Sequence, residues 1–297
     1  MTSRQLEYFR AVARELHFTR AGETLHVAQP ALSQHIRKLE RQLGVTLFER
    51  DRHRVALTAA GAALLEHSER ILADIASVED EMRGWAGGVR GLIRLGTARG
   101  VVTRLAGVLA AFGAEHPQVD VHLREETTAD MLADLHVGRL DAATLAALPS
   151  PADGRLASHP LGSEPLVLVT APSGQFAGRR RLALTALDGV DLVGYGPGSA
   201  VRAIIASALA DAGVTPRMRF ETREYSTARA LASSGLALAI LPRSIAEEPG
   251  LPVHVVTLRP APRWSPVLAW SAHRRPAPAL AALIDFVVAD PAIALPG

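Results

Sequence analysis

The stretch Phe18-Thr19-Arg20-Ala21-Gly22-Glu23-Thr24-Leu25-His26-Val27-Ala28-Gln29-Pro30-Ala31-Leu32-Ser33-Gln34-His35-Ile36-Arg37-Lys38-Leu39-Glu40-Arg41-Gln42-Leu43-Gly44 reads as two helices and the turn between them. Thr19 is placed to cap the first, since a threonine hydroxyl accepts from an early backbone N–H. His26-Val27-Ala28 then breaks the helical pattern. The second helix opens at Gln29-Pro30, where proline's missing N–H has no intrahelical partner to lose. It runs to about Gln42, and Gly44 is the expected left-handed stop. Leu32, Ile36, Leu39 and Leu43 follow one another at spacings of four, three and four, a buried stripe. At about 100° per residue, Pro30, Ser33, Gln34, Arg37 and Arg41 project from the opposite side. A hydroxyl, an amide and two guanidiniums can address base edges and phosphates in a major groove. A plain three-helix bundle with a solvated outer face would show the same pattern.

The flanks add to this. Upstream, Leu6, Phe9, Val12 and Ala13 recur at helical spacing, which supplies the first helix of a helix-turn-helix. Downstream, Val45 to Leu57 has apolar ends around a charged tip and predicts a β-hairpin presenting Arg50, Arg52 and Arg54. Beside a helix-turn-helix, such a wing can lay cations along a phosphate backbone or into a minor groove. Thr58 can cap a long helix reaching about Trp85. Along it Leu64, Ser68, Ile71, Ile75, Val78, Met82 and Trp85 alternate spacings of four and three, a heptad seam with one polar position. A helix of ~28 residues is about 42 Å long, and a single apolar stripe of that length needs a partner. Burial inside one domain is one solution. A dimerising linker is the other, and the acidic flanks and the Gly84, Gly87-Gly88 and Gly91 exit favour it.

Charge is segregated in the same way. Residues 1–60 carry ten cations against six anions and residues 61–90 three against six, while the whole chain nets only +2. A basic head, an acidic connector and a near-neutral body fit a nucleic-acid module tethered to something else. The chain of 297 residues is long enough for two or three domains, and its 48% hydrophobic and 21% charged residues exclude a disordered polymer. Cysteine is absent, which excludes disulfides, Cys-ligated zinc, iron–sulfur clusters and thiol nucleophiles or redox sensors. The polar start carries no export-type apolar segment, and apolar runs such as Leu236 to Pro242 fall far short of the ~20 residues of a membrane span. The expected location is the cytoplasm, with no membrane partner.

The segment Phe18 to Glu40, together with Leu47-Phe48-Glu49-Arg50 and Leu57-Thr58-Ala59-Ala60-Gly61, resembles the LysR-type transcriptional regulators. The likeness covers about sixty residues almost without gaps. Gly22 departs from it, standing where the family usually has alanine, and should cost ~1 kcal/mol of helix propensity. The resemblance implies an α/β protein with an N-terminal all-α winged helix-turn-helix, a long linker helix, and a two-subdomain α/β effector-binding body like periplasmic binding proteins. Residues 1–58 would form the DNA-binding domain and 59–90 the linker. Residues 91–297 would form the body, with subdomain I at about 91–161 plus 267–297 and subdomain II at about 162–266. The implied partners are double-stranded promoter DNA, a small-molecule effector, further copies of the chain as homodimer or homotetramer, and RNA polymerase if the protein activates. DNA contacts would fall to Gln29, Pro30, Ser33, Gln34, Arg37, Arg41, Arg50, Arg52 and Arg54, and dimerisation to Leu64, Ile71, Ile75, Val78, Met82 and Trp85. Without cysteine, the chain cannot be a thiol-based peroxide sensor of the kind some relatives are.

The body, read alone, alternates strands and helices from Leu92 onward, which predicts parallel sheets with helices on their faces. The resemblance returns the last piece to the first subdomain, with a hinge near Leu161–Pro165 and Arg263–Pro266. Ligands in such folds sit beyond strand carboxyl ends, where helix N-termini offer free N–H groups. That rule selects Thr97-Ala98-Arg99-Gly100, Thr127-Thr128, Gly196-Pro197-Gly198-Ser199 followed by Arg202, and Ser226-Thr227. Each has an ordinary alternative as a cap or turn. The effector candidates are therefore Thr97, Arg99, Gly100, Thr128, Gly198, Ser199, Arg202 and Thr227, and the resemblance favours Thr128. Family members often carry serine or threonine where Gly100 stands, so no hydroxyl is offered there. Arg99 or Arg202 can pair bidentately with a carboxylate or another anion.

No catalytic set emerges. The eleven histidines are scattered without ligand spacing for zinc. Gly196-Pro197-Gly198-Ser199-Ala200 is not a nucleophile elbow, and Lys38, the sole lysine, belongs to no phosphate loop. No enzyme, cofactor or metal is expected. The rival reading is a small-molecule-binding protein whose basic N-terminal module does not read DNA; the outer face of the Gln29–Gln42 helix discriminates the two.

Overall fold

The computed structural model describes residues 1–50, 54–85, 89–98, 101–146, 154–197 and 199–289. The head opens with α1 (Ser3–Glu15), α2 (Phe18–Leu25) and α3 (Gln29–Leu43), followed by a hairpin of β1 (Phe48–Arg50) and β2 (Val55–Leu57). Thr2 and Gln5 cap α1 reciprocally. The cap of α2 is not Thr19 but His17, whose ring accepts from the Arg20 N–H at 3.3 Å. Any acceptor reaching the free N–H serves, and His17 is the residue that stands just outside the helix. Gly44 ends α3 with φ +71°, the left-handed stop. The core joins Phe9, Phe18, Leu32, Ile36, Leu39, Leu47 and Phe48, with Phe48 5.4 Å from Phe9 and 5.8 Å from Phe18. Leu43 leaves the buried stripe and is 39% exposed, because the chain turns off α3 one residue later. A methyl on Gly22 would lie 2.6 Å from the Val27 carbonyl oxygen, so the turn here closes more tightly than a side chain at that position allows.

The connector is α4 (Ala59–Trp85). It is seated against the wing: Thr58 Oγ1 donates to Thr46 O at 2.8 Å and accepts from the Gly61 N–H at 2.9 Å. Gly61 lies so close that a Cβ there would meet Leu47 O at 2.1 Å. The body contains β3 (Gly91–Thr97), α5 (Val102–Glu115), β4 (Val119–Glu125), α6 (Thr128–Val137), β5 (Ala142–Leu145) and β6 (Leu156–Pro160). It continues with β7 (Glu164–Thr170), β8 (Arg181–Ala183), β9 (Asp191–Tyr195), α7 (Ala200–Asp211), β10 (Arg217–Thr222) and α8 (Tyr225–Ser233). It ends with β11 (Ala239–Pro242), α9 (Arg243–Glu247), β12 (His254–Arg259), β13 (Arg263–Trp264), β14 (Val267–Ser271) and α10 (Pro278–Ala289).

Two sheets organise these elements. The first runs β4-β3-β5-β14-β6 and the second β11-β7-β12-β8, with β13 on β7 and the pair β10-β9 alongside. The late strand β14 thus belongs to the first sheet, between β5 and β6. The sheets are mixed, against the all-parallel expectation: β14 is antiparallel to β5 and β6, and β7 to β11 and β12. Hydrophobic pattern marks a strand but not its direction, and β14 enters sheet one from the far side. The two chain crossings are bonded to each other, Leu161 N–H to Pro266 O at 2.8 Å and Leu166 N–H to Pro262 O at 2.7 Å.

Candidate nucleic-acid interface and ligand cleft

Gln29, Pro30, Gln34, Arg37 and Arg41 are exposed on α3, and Ser33 is half-buried beside them. Because Leu32, Ile36 and Leu39 are fully buried, the rotation of α3 is locked and its polar face has one orientation. Arg41 Nε donates to Arg37 O at 3.4 Å. Glu40, which the sequence reading passed over, fastens α3 to the wing: Oε1 accepts from Leu47 N–H at 2.9 Å and Phe48 N–H at 3.3 Å. Arg54 is exposed at the start of the return strand. Arg52 lies outside the described residues, and the side chain of Arg50 does too.

The heptad seam divides in two. Leu64 packs on the head core and Ser68 is fully buried, its hydroxyl donating to Leu64 O at 2.6 Å. Ile71, Ile75, Val78 and Met82 are exposed, from 37% to 57%. The side chain of Trp85 lies outside the described residues. Between the two halves sits Glu69, only 4% exposed. It takes Arg14 of α1 on Oε1 at 3.0 Å and Arg139, just after α6, on Oε2 at 2.6 Å. Arg139 also pairs with Asp134. Burial works against the charge on Arg139, but its hydrogen bonds to Asp134 and Glu69 outweigh that and raise its pKa. One carboxylate on the connector therefore bridges an arginine of the head and an arginine of the body.

The body's cleft opens between the first sheet's strand ends and the β9-β10 pair, with a volume of about 140 Å³. Glu126, Thr127 and Thr128 line it from the end of β4 and the start of α6. Tyr195, Ser199, Arg223 and Tyr225 face them from the second subdomain. Thr127 caps α6 and Ser199 caps α7. Tyr195 is buried, its hydroxyl donating to Ile240 O at 3.0 Å and its ring edge-on to Tyr225 at 5.4 Å. Burial, and then the neighbouring Tyr225, push the Tyr195 phenol well above its ordinary pKa.

Of the effector candidates, Thr128 and Ser199 line the cleft. Thr97 does not: it is fully buried beneath it, its hydroxyl accepting from Thr144 at 2.9 Å and donating to Ala98 O. Arg202 turns away, donating to Tyr195 O at 2.8 Å and Glu221 at 3.2 Å on the wall of a separate apolar cavity. Thr227 is exposed on α8, outside the cleft. Arg99, Gly100 and Gly198 lie outside the described residues. Glu126, Tyr195, Arg223 and Tyr225 were missed; all but Arg223 adjoin a strand-end position that the sequence rule had selected.

A winged helix-turn-helix joined to a clefted two-sheet body defines a bacterial regulatory protein with a substrate-binding-type domain. Residues 3–62 match the bacterial regulatory helix-turn-helix proteins of the lysR family, and residues 86–291 match the LysR substrate binding domain. The chain belongs to the LysR family of transcriptional regulators. It is 30% identical over 243 residues to a hydrogen peroxide-inducible genes activator of Dickeya chrysanthemi, covering 82% of this chain and 79% of that protein. It is 30% identical over 241 residues to the regulator CfxR of Cupriavidus necator, covering 81% and 75%. Among solved structures, a full-length OxyR variant from Pseudomonas aeruginosa superposes with a TM-score of 0.75 at 25% identity, covering 98% and 96% of the two chains. Full-length CbnR in complex with its target DNA gives 0.69 at 26% identity, covering 97% and 99%.

Proposed function

We propose that α3 enters the major groove of promoter DNA with Gln29, Pro30, Ser33, Gln34, Arg37 and Arg41 toward bases and phosphates, while the wing from Arg50 to Arg54 grips the backbone. The carrying observation is the locked rotation of α3, which holds an exposed amide and two guanidiniums on one face beside a cationic hairpin. Ile71, Ile75, Val78 and Met82 pair with a second copy. The resulting homodimer presents two recognition helices, and two dimers form the homotetramer. CbnR, solved in complex with its target DNA, is a precedent for the head.

The body acts as a sensor. A small molecule in the cleft, touching Thr128 and Ser199, favours one arrangement of the subdomains. The Arg14–Glu69–Arg139 bridge passes that preference to the head. The chain performs no catalysis and works in the cytoplasm, contacting RNA polymerase where it activates. Among the described residues, no helix is long and apolar enough to cross a membrane. The test is retardation of DNA from upstream of the protein's own gene, together with sedimentation of the purified chain. Retarded DNA and a dimer or larger species are expected. A monomer that ignores those fragments at low ionic strength overturns the proposal.

A further inference from the structure

Among the described residues, the lining of the cleft includes one buried side-chain polar atom with no partner. Oε2 of Glu126 is buried and accepts no hydrogen bond. Several polar groups of the same lining are already engaged: the Tyr195 hydroxyl with Ile240, Thr127 with Asp130, and Ser199 as the cap of α7. A carboxylate oxygen removed from water and left without a donor is costly, so such an atom at a binding site marks where a ligand donor completes the structure. Two tyrosines line the same cleft, and the faces of aromatic rings attract cations.

Taking this cleft as the effector site, we propose that the effector is a compact amine whose protonated nitrogen donates to Glu126 Oε2 and lies toward Tyr195 and Tyr225. This departs from the anion pairing that the sequence left open to Arg99 or Arg202. Arg202, one arginine invoked for an anion, faces another cavity. A ligand charged only by a carboxylate would instead set like charges together at Glu126. A zwitterion remains compatible, since Arg223 and the openings of α6 and α7 line the rest of the cleft. The volume of about 140 Å³ favours small molecules of amino-acid size.

The experiment is a thermal-shift screen of the full chain with primary alkyl amines, aromatic amines and α-amino acids, each beside its N-acetyl derivative. At least one amine should raise the Tm by several degrees while its N-acetyl derivative does not, and Glu126→Gln should remove the shift. Stabilisation only by amine-free compounds, an undiminished shift in Glu126→Gln, or a screen in which no amine binds each overturns the proposal. The effector reading is scored separately on the unaltered chain. If an amine binds by these criteria but leaves DNA retardation unchanged, that reading fails while amine recognition at Glu126 stands.

Discussion

The head and the body carry their sites in opposite ways. In the head, a single helix supplies the candidate DNA face, and its 15 residues hold both the stripe that locks it and the groups it presents. In the body, the cleft is assembled from the ends of strands that lie far apart in the chain: Glu126 and Thr128 come from one subdomain, Tyr195 and Tyr225 from the other. A site on one helix inherits its geometry from local periodicity. A site at strand ends inherits it from topology, and each contributing residue is invisible until its neighbours are known. The relatives teach the same lesson about transfer. Several are peroxide-inducible activators, yet this chain has no cysteine, so likeness of fold brings no thiol chemistry with it.

The contrast can be broken at the joint between the regions, where the largest effect is expected. Gly61→Val should destabilise the chain by about 3 kcal/mol, because even a Cβ would sit 2.1 Å from a backbone oxygen of the wing. Denaturant unfolding measures it, and unchanged stability would mean that wing and connector are not rigidly seated. Next is Glu69→Ala, which leaves Arg14 and Arg139 without their shared partner. Breaking a buried pair costs several kcal/mol, but these arginine side chains keep 46% and 35% exposure, so a loss of about 2 kcal/mol is expected. The same variant should weaken the effect of ligand on DNA retardation. Full ligand response in Glu69→Ala would show that the two regions communicate by another path.

Two smaller effects sharpen the picture of the head. Gln34→Ala should lose ~1–2 kcal/mol of discrimination between specific and unrelated DNA if the amide reads a base. Footprinting with undiminished selectivity would move base reading elsewhere on α3. Arg54→Ala should weaken all sequences alike, by under ~1 kcal/mol at moderate salt, and lower the slope of log affinity against log salt by about one. An unaltered slope rejects a phosphate contact at Arg54.

Legibility followed the same division. The three head helices, the hairpin and the long connector could be read because apolar spacing and one well-placed glycine, Gly44, announce them. Small errors arose where a helix meets its surroundings: His17 took the cap expected of Thr19, and Leu43 emerged from the stripe at the chain's turn. The seam on α4 was visible as a pattern, but not its division, since Leu64 is claimed by the head core whereas Ile71 to Met82 are left uncovered. In the body, the parallel pairing expected from alternation holds for β3 with β4 and β5 and for β9 with β10, but not for the antiparallel partners of β7 and β14. Of the polar candidates there, Thr97 was drawn under the cleft by Thr144 and Arg202 to its far side by Glu221.

The amino-acid order alone determined most of the helices and strands, where charge gathers and that no thiol chemistry is available, because these follow from spacing, composition and residue type. Only the tertiary structure decided which strand ends meet, that Glu69 lies buried between two arginines, and that a carboxylate oxygen in the cleft lacks a donor. The physical reason is that burial and pairing are properties of neighbours in space. In the body those neighbours are brought together by strand pairings across long stretches of chain, and no local pattern encodes them.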